Sequence, residues 1–181
     1  QASCSAYDLS ELITEHFSGI SAPNHPCIDT LTAAMMCLDE RPARILETGT
    51  AAWGTQSTLL FASYVDRFGG ELVTIDTRSS PARRTRLKVA SKVRFLFGDS
   101  ARVLRRKSMI DFLSEVDLVY LDSRDVDPRN PLLAAAHGFS EFFAIAGYLK
   151  AGTMVLIDDT PVDMSYWSTP SDEMRKFLSE W

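Results

Sequence analysis

Acidic residues recur in this chain at or near the ends of short apolar runs: Glu47, Asp76, Asp99, Asp122 and the pair Asp158-Asp159. A carboxylate in such a place accepts hydrogen bonds from hydroxyl or amino groups, takes up a proton, or ligates a hard cation. Glu47 sits in "ARILETGTAAWGT", one residue from the end of a run and two before Gly49, with Gly54 following in a Gly49-x-x-x-x-Gly54 spacing. A glycine-rich turn lets a ligand approach the backbone, and a helix that follows it points N–H groups at that ligand. The dinucleotide pattern G-x-G-x-x-G is absent, as is the Gly-Lys-Ser/Thr of a phosphate loop. The acid before the turn would repel a pyrophosphate, so a ligand with an amino group or hydroxyls suits it better.

Asp76 closes the run "ELVTID". An acid there is placed to accept hydrogen bonds from both hydroxyls of a ribose, with capping of the next helix as its plainer role. In "FGDSARVL", Asp99 or Ser100 caps a helix beginning at 101, a role compatible with contact to the edge of an adenine. Trp53 and Gln56 adjoin the glycine turn. Asp122 and Asp158 end two further runs, and strands that neighbour each other lie about 4.8 Å apart. Two such carboxylates require a cation, a proton or solvent between them.

These residues need elements that carry them to one rim. Helical spacing over 8–18 (Leu9, Leu12, Ile13, Phe17) and 26–40 (Ile28, Leu31, Ala34, Met35, Leu38) predicts two N-terminal helices. From residue 43 short apolar runs at 43–48, 71–76, 93–97, 116–122 and 152–158 alternate with amphipathic stretches at 55–68, 80–90, 100–114 and 130–149. Strands that are nearly continuous in apolar content and are separated by helices predict βαβ units and a mostly parallel sheet. The expected fold is α/β, a doubly wound Rossmann-like sheet with helices on both faces and an N-terminal helical extension. One domain is expected over 1–181: helices in 1–41, a cofactor-binding core in 42–160, and an acceptor-side loop and helix in 161–181. In open α/β sheets ligands bind outside the carboxyl ends of the strands, where strand order reverses, so the acids line one rim.

Composition narrows the function classes. The chain is 45% hydrophobic and 24% charged with a net charge of -5, and no apolar stretch is long enough to span a bilayer. The start "QASCSAYDLSELITEHF" has neither a basic beginning nor a continuous apolar core, so no secretory signal is expected in it. The clusters Arg83, Arg84, Arg86, Lys88 and Arg102, Arg105, Arg106, Lys107 read as solvated helix faces, with Leu87, Val103 and Leu104 inward. Cys4, Cys27 and Cys37 lack C-x-x-C spacing and read as inert thiols. His16, His25 and His137 read as surface or packing residues, with His25 in the "APNHP" loop also placed to border a substrate, and no G-x-S-x-G elbow points to a serine hydrolase.

Taken in order, E-x-G-x-x-x-x-G, the acid after strand two, Gly98-Asp99-Ser100, "LVYLDS" and "MVLIDD" resemble the class I S-adenosylmethionine-dependent methyltransferases over roughly residues 25–160. The resemblance implies S-adenosylmethionine as cofactor, with Glu47, Gly49 and Gly54 about its methionine part, Asp76 on the ribose and Asp99 and Ser100 at the adenine. Asp122, also at the cofactor, and Asp158-Asp159 resemble the metal-binding acids of the small catechol- and caffeoyl-CoA-type O-methyltransferases. That implies Mg2+ or another divalent cation on Asp122, Asp158 and Asp159, and transfer to a hydroxyl oxygen of a small molecule. Two positions depart from those enzymes: Asp159 replaces their Asn, and Asp125 stands where their Lys base does. Asp122 and Asp125 are therefore the catalytic candidates. Met164, Tyr166 and Trp167 fall where family members place acceptor-pocket residues. The family's closing hairpin of strands six and seven has no counterpart before "EMRKFLSEW", which leaves the acceptor side less defined. The expected partner is a small-molecule acceptor, with no nucleic acid and no membrane, in a cytoplasmic protein compatible with a homodimer. A non-catalytic cofactor-binding or interaction domain on the same fold is the alternative.

Overall fold

A computed structural model of the chain describes residues 8–20, 27–50, 54–86, 88, 92–127 and 131–158. Trp53, Asp159, His25, Met164, Tyr166, Trp167 and the whole of 161–181 lie outside the described residues. The parallel strands are β1 (Ala43–Thr48), β2 (Gly70–Asp76), β3 (Val93–Phe97), β4 (Leu118–Leu121) and β5 (Met154–Ile157), in the order β3-β2-β1-β4-β5. The helices are α1 (Leu9–Ser18), α2 (Cys27–Cys37), α3 (Ser57–Phe68), α4 (Ser79–Arg86), α5 (Ser100–Leu104), α6 (Ile110–Leu113) and α7 (Pro131–Ile145).

Alternation along the strands divides the core. Ile45, Leu72, Leu118 and Tyr120 face one layer with α1, α2 and α3, where Leu31, Met35, Leu60 and Phe61 are fully buried. Leu46, Val73, Ile75, Val119 and Leu121 face the other, with Val103 and Leu104 of α5, Leu113 of α6 and Ile145 of α7. The doubly wound reading and the inward assignment of Val103 and Leu104 agree with this, and Arg83, Arg84, Arg102, Arg105, Arg106 and Lys107 are exposed. No helix among the described residues is long and apolar enough to cross a membrane.

Several boundaries differ from expectation. The single helix expected over 100–114 is α5, a 3-10 turn at Lys107–Met109, and α6. The helix breaks at Arg106, whose backbone is extended with φ -70° and ψ 139° at the start of the 3-10 turn. The helix expected to reach residue 40 ends at Cys37, and Asp39 and Glu40 have φ of 53° and 54°. The helix expected to reach 149 ends at Ile145. Strands four and five are shorter than expected, so Asp122 and Asp158 lie one residue past their strands, whereas Asp76 does end β2.

Candidate active site

Strand order reverses at β1: the chain proceeds outward to β2 and β3 on one side, then crosses to β4 and β5 on the other. Register places Thr48 beside Ile75 and Leu121, Asp76 beside Phe97, and Leu121 beside Ile157, so all carboxyl ends share one edge. At the reversal the two halves meet closely. Gly49 has φ +90°, its N–H donates to the Ile75 carbonyl at 2.8 Å, and a Cβ on it would fall 1.8 Å from the Asp122 carbonyl oxygen. Only glycine fits such an approach. The Asp122 N–H in turn donates to the Thr48 carbonyl at 3.0 Å and to Thr48 Oγ1 at 3.2 Å.

Glu47, expected about the methionine part of a cofactor, is turned into the protein. It is fully buried, and its oxygens accept from Ser57 Oγ at 2.6 Å, Thr58 Oγ1 at 2.5 Å and Thr74 Oγ1 at 2.6 Å. Thr74 lies two residues before Asp76 on β2 and Thr50 Oγ1 shares its hydroxyl at 2.8 Å. Burial pushes the Glu47 carboxyl up to about 7 against these hydroxyl bonds, and the Asp76 charge adds to the rise. Because Ser57 and Thr58 are the first residues of α3, Glu47 fastens that helix's N-terminus, the positive end of its dipole, to the end of β1.

Asp76 is nearly buried at the rim and sits in its own turn: Oδ1 accepts from the Arg78 N–H at 2.7 Å and from Arg78 Nε at 3.2 Å, and Oδ2 from Arg78 Nη2 at 3.2 Å. The Arg78 side chain is 71% exposed. Hydrogen bonding and charge from Asp76 raise the pKa of the guanidinium, and exposed Asp125 adds to that. Asp125, one of the two catalytic candidates, thus belongs to the neighbourhood of Arg78.

Asp99 is the N-cap of α5, accepting from the Arg102 N–H at 2.9 Å, the plainer of its two expected roles. Ser100 is buried, and its hydroxyl meets His137 Nε2 of α7 at 3.0 Å. Glu141, 1% exposed, stands 3.6 Å from the same nitrogen, and its Oε1 has no hydrogen-bond partner among the described residues.

Asp158 is half-buried with both oxygens engaged. Oδ1 accepts from the Cys27 thiol of α2 at 2.7 Å, and Oδ2 accepts from the Tyr120 hydroxyl. Tyr120 is buried against Phe61, and burial first, then the charges of Asp122 and Asp158, push its phenol well above the usual range. Asp122 and Asp158 therefore both act on one phenol. Among the described residues no three His, Cys, Asp or Glu side chains are grouped to hold a metal ion; Asp159, the third acid expected there, lies outside them.

The loop after β1 is held from the N-terminal extension. His16 Nε2 of α1 donates to the Thr55 carbonyl at 2.7 Å, which fixes the Nε2–H tautomer, and burial lowers the pKa of the ring. Gly54 has φ +88° and Gln56 +49°, so the chain turns sharply into α3 here. A groove of about 460 Å³ between α1 and α3 touches this loop through His16. Thr55 Oγ1 and Ser123 Oγ are buried without hydrogen-bond partners among the described residues, one in the loop after β1 and the other in the loop after β4.

Sequence reasoning missed Cys27, Tyr120, His16, His137 and Arg78. Only Tyr120 carried a signal: two residues before Asp122, strand alternation puts a hydroxyl-bearing side chain on the same side as Glu47, its register partner on β1. The reading of His16, His137 and Cys27 as packing or inert groups assigned them no bonds at the site, whereas each bonds an element of this rim.

No protein-family model and no curated protein matches the chain. Solved structures do. MycE methyltransferase from the mycinamycin biosynthetic pathway, in complex with Mg and SAH, matches with a TM-score of 0.62 at 20% identity, over 95% of this chain and 44% of MycE. The chain thus spans less than half the length of that protein. The calicheamicin methyltransferase CalS11 matches with a TM-score of 0.53 at 14% identity, over 95% of this chain and 82% of CalS11. At these identities the likeness is one of fold: this chain has the doubly wound α/β fold on which those two methyltransferases are also built.

Proposed function

We propose that the chain binds S-adenosylmethionine across the crevice between β1 and β4 and transfers its methyl group to a hydroxyl oxygen of a small molecule, assisted by a divalent cation. The observation that carries this reading is the contact of Gly49 with the Asp122 carbonyl at the strand reversal, in a fold shared with MycE bound to SAH. Asp76 accepts the ribose hydroxyls once Arg78 swings away, which costs little for so exposed a side chain. Glu47 acts through Ser57 and Thr58, holding the α3 N-terminus toward the cofactor loop.

Asp122 and Asp158 carry the hard carboxylate oxygens that a divalent cation takes, and Asp158 would exchange its bonds from Cys27 and Tyr120 for such an ion. Asp159 would be the third acid. When bound, S-adenosylmethionine supplies a methyl group already activated on sulfur, and the cation lowers the pKa of the acceptor hydroxyl. The proton of that hydroxyl would pass to a carboxylate of the β4 loop, Asp122 or Asp125, as the methyl carbon exchanges its bond to sulfur for one to the acceptor oxygen, and alignment of that oxygen, the methyl carbon and the sulfur would account for most of the rate.

Calorimetric titration with S-adenosylhomocysteine, with and without Mg2+, tests this. Binding that is weakened at least about tenfold by Asp76→Ala, the loss of one charged hydrogen-bond acceptor, supports it. No binding by the intact chain overturns it. The internal partners of Glu47, Asp76 and Asp158 favour a second reading, a cofactor-binding domain without turnover. Methyl transfer to any phenol or sugar hydroxyl excludes that one.

A further inference from the structure

We infer that the open edge of the sheet at β3, with α4 and the stretch from α5 to Lys107 on either side of it in the chain, is a docking surface for single-stranded nucleic acid. The net charge of -5 argues against such a partner only if charge is spread evenly, and it is not. Residues 78–107 hold eleven of the chain's 19 lysines and arginines and, of its 24 acids, Asp99 alone. The fold gathers them at one place. β3 is paired by β2 on one side only, and α4 leads into it while α5 leads out. Arg83 and Arg84 of α4, Arg102 of α5, and Arg105, Arg106 and Lys107 after it are exposed. Among the described residues none of these six is within ion-pair distance of a carboxylate, whereas elsewhere Arg44 pairs with Glu71 and Lys150 with Glu115 and Asp117. Charge at a sheet edge discourages pairing between copies, but Arg94, exposed on β3 itself, already serves that purpose.

The chemistry of the patch narrows the partner. Five of the six are arginines, whose planar fork takes two phosphate oxygens at once, so a row of them suits repeated phosphates. An exposed ring stands at the same edge. Phe97 ends β3 with 48% of its surface open, in register with Asp76, whose partner Arg78 has a side chain 71% exposed. Arg106 approaches the next residue, its Nη2 lying 3.6 Å from where a Cβ on Gly98 would stand. Arginines about an exposed ring fit a strand whose bases are unpaired and free to stack between its phosphates. An acidic peptide supplies charge but no base for Phe97. β2 stands between β3 and the crevice at β1 and β4, so docking at this edge requires no methyl transfer.

The test is fluorescence anisotropy of the full chain with a labelled oligouridylate of about 16 nucleotides, the upper end of single-strand site sizes. Between about 50 and 300 mM KCl, log K should fall against log[KCl] with a slope of about -4 if all six cations meet phosphates. Replacing Arg102, Arg105 and Arg106 together by Gln should weaken binding about tenfold or more and reduce the slope by about 2. The pair Arg83→Gln and Arg84→Gln should do the same to a smaller extent, and Arg41→Gln, exposed outside the patch, should change nothing. Urea midpoints should be unaltered in all of these, since every substituted side chain is at the surface. Phe97→Ala should weaken oligouridylate about fivefold or more and leave an abasic oligomer of the same length unaffected. No binding by the unaltered chain at about 50 mM KCl, or binding that survives both sets of arginine substitutions, overturns the inference. Oligoglutamate of equal length bound as tightly as oligouridylate also overturns it and assigns the face to an acidic protein.

Discussion

The two halves of the rim treat their carboxylates in opposite ways. On the β1–β2 side Glu47 is sealed from solvent inside a cage of hydroxyls, and Asp76 is gripped by its own turn. On the β4–β5 side Asp122 and Asp158 are partly open, and the groups that hold Asp158 are donors from beneath the sheet edge and from α2. The first arrangement commits its carboxylates to interior hydroxyls and to a turn; the second keeps its carboxylates half-buried at the rim. An acid in the right place in a motif therefore has two distinct uses, and burial separates them.

The comparison breaks most severely at the seam between the halves. Gly49→Ala should cost about 1–3 kcal/mol from backbone strain alone, before the clash with Asp122 is counted, and should abolish cofactor binding. Urea denaturation and calorimetry together check this. A stable Gly49→Ala protein that still binds S-adenosylhomocysteine would mean that the crevice is not built on this contact.

The sealed acid is tested by pH. Glu47 has a folded pKa of about 7 against an ordinary 4.5, so the folded state holds the extra proton between those values. Its contribution is most favourable below about pH 4.5 and is lost as pH rises to about 7, on the order of 3 kcal/mol in all. Glu47→Gln should remove that slope. His16 works in the other direction: its pKa is lowered below 6.5, so the unfolded chain takes up the proton first and stability falls as pH drops below about 6.5. His16→Ala should cost about 1 kcal/mol at neutral pH through the bond to Thr55 and flatten the acid side of the profile. Urea midpoints measured from pH 4.5 to 8 separate the two.

The smallest effect belongs to Arg78. Its pairing with Asp76 is exposed on the arginine side, so Arg78→Ala should change stability by less than about 1 kcal/mol. Cofactor affinity should rise by about two- to fivefold as Asp76 is vacated. A large loss of affinity would instead place Arg78 on the ligand.

Most of the frame was legible because apolar runs spaced by amphipathic ones leave few ways to build a sheet, and Gly69, Gly70 and Ser79 punctuate them where α3 ends and α4 begins. The acids were legible as positions. Their orientation was not: whether Glu47 faces a ligand or a hydroxyl cage depends on Ser57, Thr58 and Thr74, residues whose types are ordinary in helices and strands. The bonds of His16, His137 and Cys27 were beyond reach because each spans a long separation, 39, 37 and 131 residues, that no local pattern encodes.

The strand order also bears on how the molecule assembles. Glu47 finds Thr74 across 27 residues, whereas β1 is tied to β4 by the Arg44 N–H on Asp117 across 73. The first three strands can therefore pair while the rest of the chain is still emerging from a ribosome, and the longer loop closes later at greater entropic cost. Until it closes there is no wall opposite Gly49. A ligand that needs both walls would select chains whose second half has docked, and its capture would report the last step of folding rather than the first.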